Sequence, residues 1–118
     1  MPAHDEPVLD RRPWGHFELL RNAAFCKIKL LVVNPGQRLS LQRHRRRAEH
    51  WHVVKGKAEI VLDGATLVVS CGESLDIPRL SWHRLANPGT SELVVVEVQV
   101  GDYFGEDDIE RGSDDYGR

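Results

Sequence analysis

The sequence predicts an all-β fold, an antiparallel sandwich or barrel, and two observations lead to this prediction. First, the 118 residues contain many short extended segments at even spacing, separated by Gly, Pro and Asn. Second, helical periodicity of apolar residues is absent almost everywhere, and a short turn at 106–110 is the best helical candidate. At this length the chain is expected to form one domain with a real hydrophobic core.

The extended segments are predicted from apolar runs bounded by turn signals. Residues 25–33 begin with period-two alternation and end continuously apolar, as a half-buried strand does when it enters a core. Asn-Pro-Gly turns follow at 34–36 and 87–89, and Asp63-Gly64 sets the turn of a hairpin. In chain order the predicted segments are 12–20, 25–33, 37–44, 50–54, the hairpin 58–72, 75–77, 82–85 and 92–100.

The two ends of the chain differ in composition from the middle. Residues 1–10 are polar and contain two prolines, which predicts an arm or an extended edge segment. Residues 101–118 are acidic and glycine-rich, and this composition alone favours a disordered appendage. We therefore expect a single domain over 1–118, with a polar N-terminal arm at 1–10 and an acidic C-terminal segment at 101–118.

Charge and hydropathy exclude two classes of partner. Acidic and basic residues nearly cancel, leaving a formal net charge of -2, which is not typical of nucleic-acid or membrane-surface binders. No apolar run approaches a membrane span, and the first ten residues lack the layout of a signal peptide, so a cytoplasmic protein is expected. Cys26 and Cys71 lie in apolar runs and are expected to be reduced, buried thiols.

Four polar side chains have the chemistry of a divalent-metal site. Gln42 and His44 are two residues apart and share a face of an extended strand, Glu49 follows a turn, and His83 returns from far along the chain. These nitrogen and oxygen ligands, without cysteine, would leave positions for water or substrate, as catalytic sites do. Zinc is the first choice, and iron, manganese, cobalt and nickel stay open because such ligands discriminate poorly.

Two glycine-framed blocks, 36–56 and 72–87, contain these four candidates. In this spacing the chain resembles the cupin superfamily, which implies a double-stranded β-helix (jelly-roll) barrel. Gln42 stands where the first cupin motif usually has histidine, and Leu80 stands where the second usually has glycine. For any one residue alone, a partly buried polar group satisfied by hydrogen bonds is the better interpretation. For four residues inside both blocks, a metal site is favoured.

Several longer stretches of the sequence resemble one particular family: RPWG, PGQRLSLQRH, AEHW, HRLANPG and EVQVGDYFGEDDIERGSDDYGR. They resemble the C-terminal isomerase domain of type II mannose-6-phosphate isomerase, which is usually fused to mannose-1-phosphate guanylyltransferase. The resemblance implies interconversion of mannose 6-phosphate and fructose 6-phosphate in nucleotide-sugar and polysaccharide biosynthesis. It also implies a metal held by Gln42, His44, Glu49 and His83, an ordered C-terminal segment, and a homodimer.

The chain departs from this family at two places. Arg45 and Arg46 stand where further histidines are usual, and His52 replaces an apolar residue. These departures leave the identity of the sugar open. Guanylyl transfer is not expected of these residues, because they contain no glycine-rich phosphate loop.

An aldose–ketose isomerase needs a base, stabilisation of a developing oxyanion, and a clamp for the phosphate. Arg47 matches the family's basic residue and is the first candidate for the clamp, followed by Arg38, Lys55 and Arg84. The base is left unassigned, with Glu97 on the last predicted strand as a candidate.

Two other functions stay open beside the isomerase. One is a non-catalytic, metal-binding cupin that senses a sugar phosphate or a related carbohydrate, which the changed Arg45 and Arg46 and the missing fusion partner support. The other, a nucleotide-sugar epimerase of similar fold, is weaker because that chemistry does not need a metal.

Overall fold

The computed structural model describes residues 8–117, which form strands and loops with one short 3-10 turn at Glu106–Asp108. This confirms the predicted all-β class. The strands are β1 (Val8–Arg12), β2 (Gly15–Asn22), β3 (Cys26–Val33), β4 (Gln42–His44), β5 (Arg47–Lys55), β6 (Lys57–Leu62), β7 (Ala65–Ser70), β8 (Ser74–Ile77), β9 (His83–Ala86), β10 (Leu93–Gly101) and β11 (Ile109–Arg111).

The strands build two antiparallel sheets with the core between them. One sheet has six strands in the order β1-β2-β3-β10-β5-β8, and the other has five in the order β11-β4-β9-β6-β7. Both sheets contribute to one apolar cluster, in which Ile60, Leu85 and Val95 are completely buried. Burying a side chain of this size stabilises the fold by roughly 1.5–3 kcal/mol.

The inward face of the six-stranded sheet changes from apolar to polar along its strands. At the polar end, β10 is in register with both neighbours, so that Glu97 is paired with Lys29 on one side and with Trp51 on the other. One step further, Gln99 is paired with Glu49. Because paired residues point to the same face, the sheet presents a row of buried polar groups to the interior.

Two strand boundaries differ from the sequence prediction around the candidate site. The predicted segment 37–44 is regular strand only at Gln42–His44, and an isolated bridge at Arg38 covers its start. The predicted segment 50–54 begins earlier, since β5 starts at Arg47. The apolar pattern concealed this start, because buried charged residues occupy the first inward positions of β5.

The first and last strands lie near the two limits of the described residues. Val8–Arg12 is the edge strand of the six-stranded sheet, and residues 1–7 of the predicted arm lie outside the described residues. Within the acidic C-terminal segment, Ile109–Arg111 pairs with β4.

Both cysteines are free thiols. Cys26 is half-buried and Cys71 is exposed, so the prediction of a buried thiol is wrong for Cys71, whose outward position at the end of a hairpin leaves it in solvent. No helix within residues 8–117 has the length and apolar character needed to cross a membrane.

Candidate metal centre

Three of the four predicted ligands meet inside the barrel. His44, Glu49 and His83 come from three strands, and one ligand atom from each lies within 4.8 Å of the others. His83 Nε2 and His44 Nδ1 are each 3.7 Å from a carboxylate oxygen of Glu49. Ligands bound at the usual distances from one zinc ion lie roughly 3.0–3.6 Å apart, so both contacts with Glu49 are close to this range, and the whole set would contract around a metal.

The protonation states of the two histidines also fit a metal. His83 Nδ1 donates to the Ser81 carbonyl at 2.9 Å, which leaves the Nε2 lone pair facing Glu49. Burial lowers the pKa of His83, and burial followed by the charge of Arg47 lowers the pKa of His44 to about 2. Both rings are therefore neutral at physiological pH, which is the form that coordinates metals.

Gln42, the fourth predicted ligand, lies beside this group. It is paired with His83 across β4 and β9. Its side-chain nitrogen donates to Ser40 Oγ at 3.1 Å, so the amide oxygen is the atom left for a metal. Its role as a ligand stays a prediction.

Arg47 binds two of the predicted ligands directly. It is buried, and its Nε donates to Glu49 Oε2 at 3.0 Å while its Nη2 donates to His44 Nε2 at 2.8 Å. Its Nη1 faces the Phe104 carbonyl at 3.5 Å and Glu106 at 3.8 Å. Arginine has no acceptor, and a neutral imidazole bound to a metal through either nitrogen has no lone pair left to accept a hydrogen bond. Coordination by His44 therefore requires Arg47 to leave Nε2.

A second buried carboxyl group adjoins the metal group. Trp51 Nε1 lies 3.1 Å from both Glu49 Oε1 and Glu97 Oε2, so that it bridges the two side chains. Gln99 Nε2 donates to Glu97 Oε1 at 2.6 Å, and the Gln99 Oε1 atom is buried without a hydrogen-bond partner among the described residues. The position of Glu97 is thus fixed by two donors.

Burial and charge separate the two carboxyl groups. Burial, followed by the charge of Glu97, raises the pKa of Glu49 to about 8, against an opposing effect of Arg47. Burial also raises the pKa of Glu97, but Lys29, Arg47 and the hydrogen bond from Gln99 outweigh it, so that the pKa is lowered. Glu97 is therefore the carboxylate that keeps its charge and can accept a proton. A divalent cation bound by Glu49 would lower the pKa of that group.

A cavity lined with several cations lies beside this group, and Gln42 and Arg47 adjoin both. Arg12, Lys29, Arg47 and Arg111 line the cavity together with Gln42 and Glu97. The sequence analysis missed three of these cations. The sequence could have indicated Lys29, because alternate residues of a strand face the same side and Lys29 alternates with the buried Leu31 and Val33. Arg12 and Arg111 gave no local signal, since their position depends on which strands form the sheet edges.

The other three predicted substrate-binding residues do not line this cavity. Arg38 is exposed and binds Asp115 through two nitrogens at 2.7 and 2.9 Å. Lys55 is exposed at the end of β5. Arg84 donates to the backbone carbonyls of two other residues and thereby joins loop segments. The structure thus brings Arg47 and the four predicted ligands together, but not these three residues.

Comparisons with known proteins agree with this architecture. The family described as Mannose-6-phosphate isomerase C-terminal matches residues 3–114. The alginate biosynthesis protein AlgA of Pseudomonas aeruginosa is 50% identical over 107 residues, which are 91% of this chain and 22% of AlgA. The xanthan biosynthesis protein XanB of Xanthomonas campestris pv. campestris is 46% identical over 107 residues, 91% of this chain and 23% of XanB. The chain thus spans less than a quarter of the length of these relatives.

A solved structure from Klebsiella pneumoniae, an uncharacterized conserved protein with a double-stranded β-helix domain, has a TM-score of 0.73 at 18% identity. The alignment covers 96% of this chain and 90% of that one. The likeness confirms the predicted fold class, a double-stranded β-helix.

Proposed function

The chain belongs to the family of mannose-6-phosphate isomerase C-terminal domains, and from this premise we propose that it interconverts mannose 6-phosphate and fructose 6-phosphate. The observation that carries the proposal is the buried group His44, Glu49 and His83, beside a cavity lined with cations. Two relatives are named for alginate and xanthan biosynthesis, which supports a role in polysaccharide biosynthesis.

We assign Gln42, His44, Glu49 and His83 as the residues that would hold one divalent metal, with zinc as the first choice. Two neutral imidazoles, a carboxylate and an amide oxygen suit zinc, and they also suit iron, manganese, cobalt or nickel. When bound, such a metal supplies Lewis-acid polarisation of the sugar carbonyl and stabilises the developing oxyanion.

Glu97 is the proposed base. In the forward direction its carboxylate accepts the proton from C2 of open-chain mannose 6-phosphate and returns it to C1, while the hydroxyl proton moves from O2 to O1. The hydrogen bonds from Trp51 and Gln99 hold the carboxylate in place, and its lowered pKa keeps it ionised before the reaction. Its burial also keeps bulk water from the proton that it carries.

The proposal is tested by following conversion of mannose 6-phosphate by the purified, zinc-loaded protein. We expect Glu97→Gln to lower kcat by about 100- to 10,000-fold with an unchanged zinc content. His44→Ala and Gln42→Ala should lose both zinc and activity. Lys57→Ala is the matched control, since Lys57 is exposed on the other sheet. Tight binding of the sugar phosphate without turnover would refute the isomerase and support the sensor instead.

For the assembly, we propose a homodimer through the outer face of the six-stranded sheet. The outward residues of β10 are valines, and Val100 is 55% exposed. Val98 and Val100 line a surface groove with Ala48, and apolar patches of this kind favour association. Val98→Lys is expected to shift the mass measured by light scattering from dimer to monomer, and a monomeric unmodified protein would refute the proposal.

A further inference from the structure

Lys29 is a buried lysine whose ammonium forms no ion pair with a carboxylate among the described residues. It is 9% exposed, and its ammonium lies 4.2 Å from the centroid of the Phe17 ring. The ion pairs formed among residues 8–117 include neither Lys29 nor Lys27. A buried cation without a paired anion is costly, so an anionic ligand is the simplest reason to place one there.

Two further cations converge on the same place. Lys27 lies two residues before Lys29 on the same face of β3, and both line a second cavity that shares Arg12 and Phe17 with the first. The guanidinium of Arg12 lies 5.2 Å from the centroid of the Phe17 ring. Asp10 holds this guanidinium through two hydrogen bonds of 3.0 and 3.1 Å, so that its position is fixed.

Electrostatics agree with this crowding of positive charge. Burial, followed by the charge of Lys29, lowers the pKa of Lys27, and these effects outweigh the opposing charges of Glu106, which also lines both cavities, and Glu97. Glu97 is paired with Lys29 in register, and the charge of Lys29 helps to lower the pKa of Glu97. The two side chains nevertheless form no ion pair, and the Glu97 carboxylate accepts its hydrogen bonds from Trp51 and Gln99. The negative charge of Glu97 therefore does not explain why two lysines lie at this place.

We propose that Lys29, Lys27 and Arg12 form the subsite for the phosphate group of the substrate. A phosphate dianion accepts charge-assisted hydrogen bonds from all three, with lysines as point charges and arginine as a planar fork. Gln42 and Glu97 line the same cavity as Lys29 and Arg12, so a phosphate bound here leaves the sugar to face the proposed base and ligands. The identity of the sugar rests on the proposed function, whereas the anion subsite does not.

The test compares Lys29→Met, which keeps the side-chain length and removes the charge, with the exposed control Lys57→Met. The probes are mannose 6-phosphate, inorganic phosphate and unphosphorylated mannose, measured by titration calorimetry and by kinetics. Loss of one charge-assisted contact is expected to weaken mannose 6-phosphate binding and raise KM by about 10- to 100-fold. Competition by inorganic phosphate should weaken in parallel, and mannose affinity and zinc content should not change.

Two further measurements, rescue by a conservative substitution and the unfolding temperature, distinguish a binding role of Lys29 from a structural one. Lys29→Arg is expected to recover part of the phosphate affinity, and Lys29→Met should unfold at the same or a higher temperature than the unmodified protein. An unchanged phosphate affinity in Lys29→Met, with or without a lower unfolding temperature, would overturn the subsite. Lys27→Met, at a less buried position, gives the same comparison if Lys29→Met does not fold.

The two proposals fail in different ways. Isomerisation that persists with unchanged KM in Lys29→Met overturns the subsite and leaves the proposed function standing. Phosphate binding that depends on Lys29, in a zinc-loaded protein that isomerises no sugar phosphate, overturns the proposed function and supports the subsite.

Discussion

Replacing Arg47 with methionine is expected to tighten the binding of zinc. The Arg47 guanidinium donates to Glu49 and His44 at 3.0 and 2.8 Å, and at least the contact with His44 must break before that ring can coordinate a metal. A hydrogen bond involving a charged group contributes about 1.5–3 kcal/mol. Without this competing contact, zinc affinity should rise by roughly 10- to 100-fold, since each 1.4 kcal/mol corresponds to a factor of ten.

The same substitution is expected to destabilise the metal-free protein. Glu49 is almost completely buried, and Arg47 is the cation that binds its carboxyl group. Breaking a buried ion pair usually costs about 3–5 kcal/mol. Because the pKa of Glu49 is raised to about 8, this group can take up a proton instead, and we expect a smaller loss of about 1–3 kcal/mol in the free energy of unfolding.

Zinc affinity is measured by competition with a chromophoric chelator, and stability by urea unfolding in the presence of EDTA. Arg46→Met is the matched control, because Arg46 is the exposed neighbour and its side chain binds Asp102. Neither zinc affinity nor core stability should change in this control. Weaker zinc binding by Arg47→Met would refute the reasoning, since it would mean that Arg47 holds Glu49 in position for the metal rather than competing with it.

Two further predictions concern the backbone and the C-terminal segment. Gly101→Ala should destabilise the protein by about 1–3 kcal/mol in urea unfolding, because the added Cβ would overlap with the backbone oxygen of Arg46. Gly89→Ala, where the nearest atom is 3.4 Å away, should be close to neutral, and equal losses would contradict the steric explanation. A hydrogen bond from Arg43 lowers the pKa of Glu110 in the folded protein. The contact therefore stabilises β11 at pH values above the pKa that Glu110 has in the unfolded chain. This stabilisation is lost as the pH falls through the lower pKa of Glu110 in the folded protein. The protection factors of the β11 amides against hydrogen exchange, which correct for the intrinsic pH dependence, should fall below about pH 4, and Glu110→Gln should remove this dependence. A loss of protection that persists in Glu110→Gln would assign it to another group.

The sequence predicted the all-β fold from local patterns, and it predicted that His44, Glu49 and His83 meet from the spacing of two glycine-framed blocks. Alternation within strands and the turns between them indicate an antiparallel β fold, and two-residue spacing places Gln42 and His44 on one face. The cations of the cavity were harder to predict. Arg12 reaches the cavity because a hairpin places its strand at the edge of the sheet. Lys29 was missed because lysine is seldom expected at a buried strand position, where cores usually have apolar residues.

The order of the C-terminal segment could not be predicted from its composition. Acidic, glycine-rich residues favour disorder when they are considered alone. In the structure they are held by distant arginines, for example Glu110 by Arg43 at 2.9 Å and Asp115 by Arg38 at 2.7 Å. Each pair joins residues that are more than sixty positions apart, so only the tertiary fold brings them together.

These contacts also change the interpretation of Arg45 and Arg46, where the chain departs from its family. Both backbone amides donate to the Asp108 carboxylate, at 3.3 and 2.9 Å. Their exposed guanidinium groups bind Glu110 and Asp102 in the same segment. Neither side chain lines the cavity, so the departure bears on how the C-terminal segment is attached and not on direct contact with a sugar. We therefore expect the choice of substrate to depend on the residues that line the cavity, among them the cations Arg12, Lys29, Arg47 and Arg111 and the proposed base Glu97.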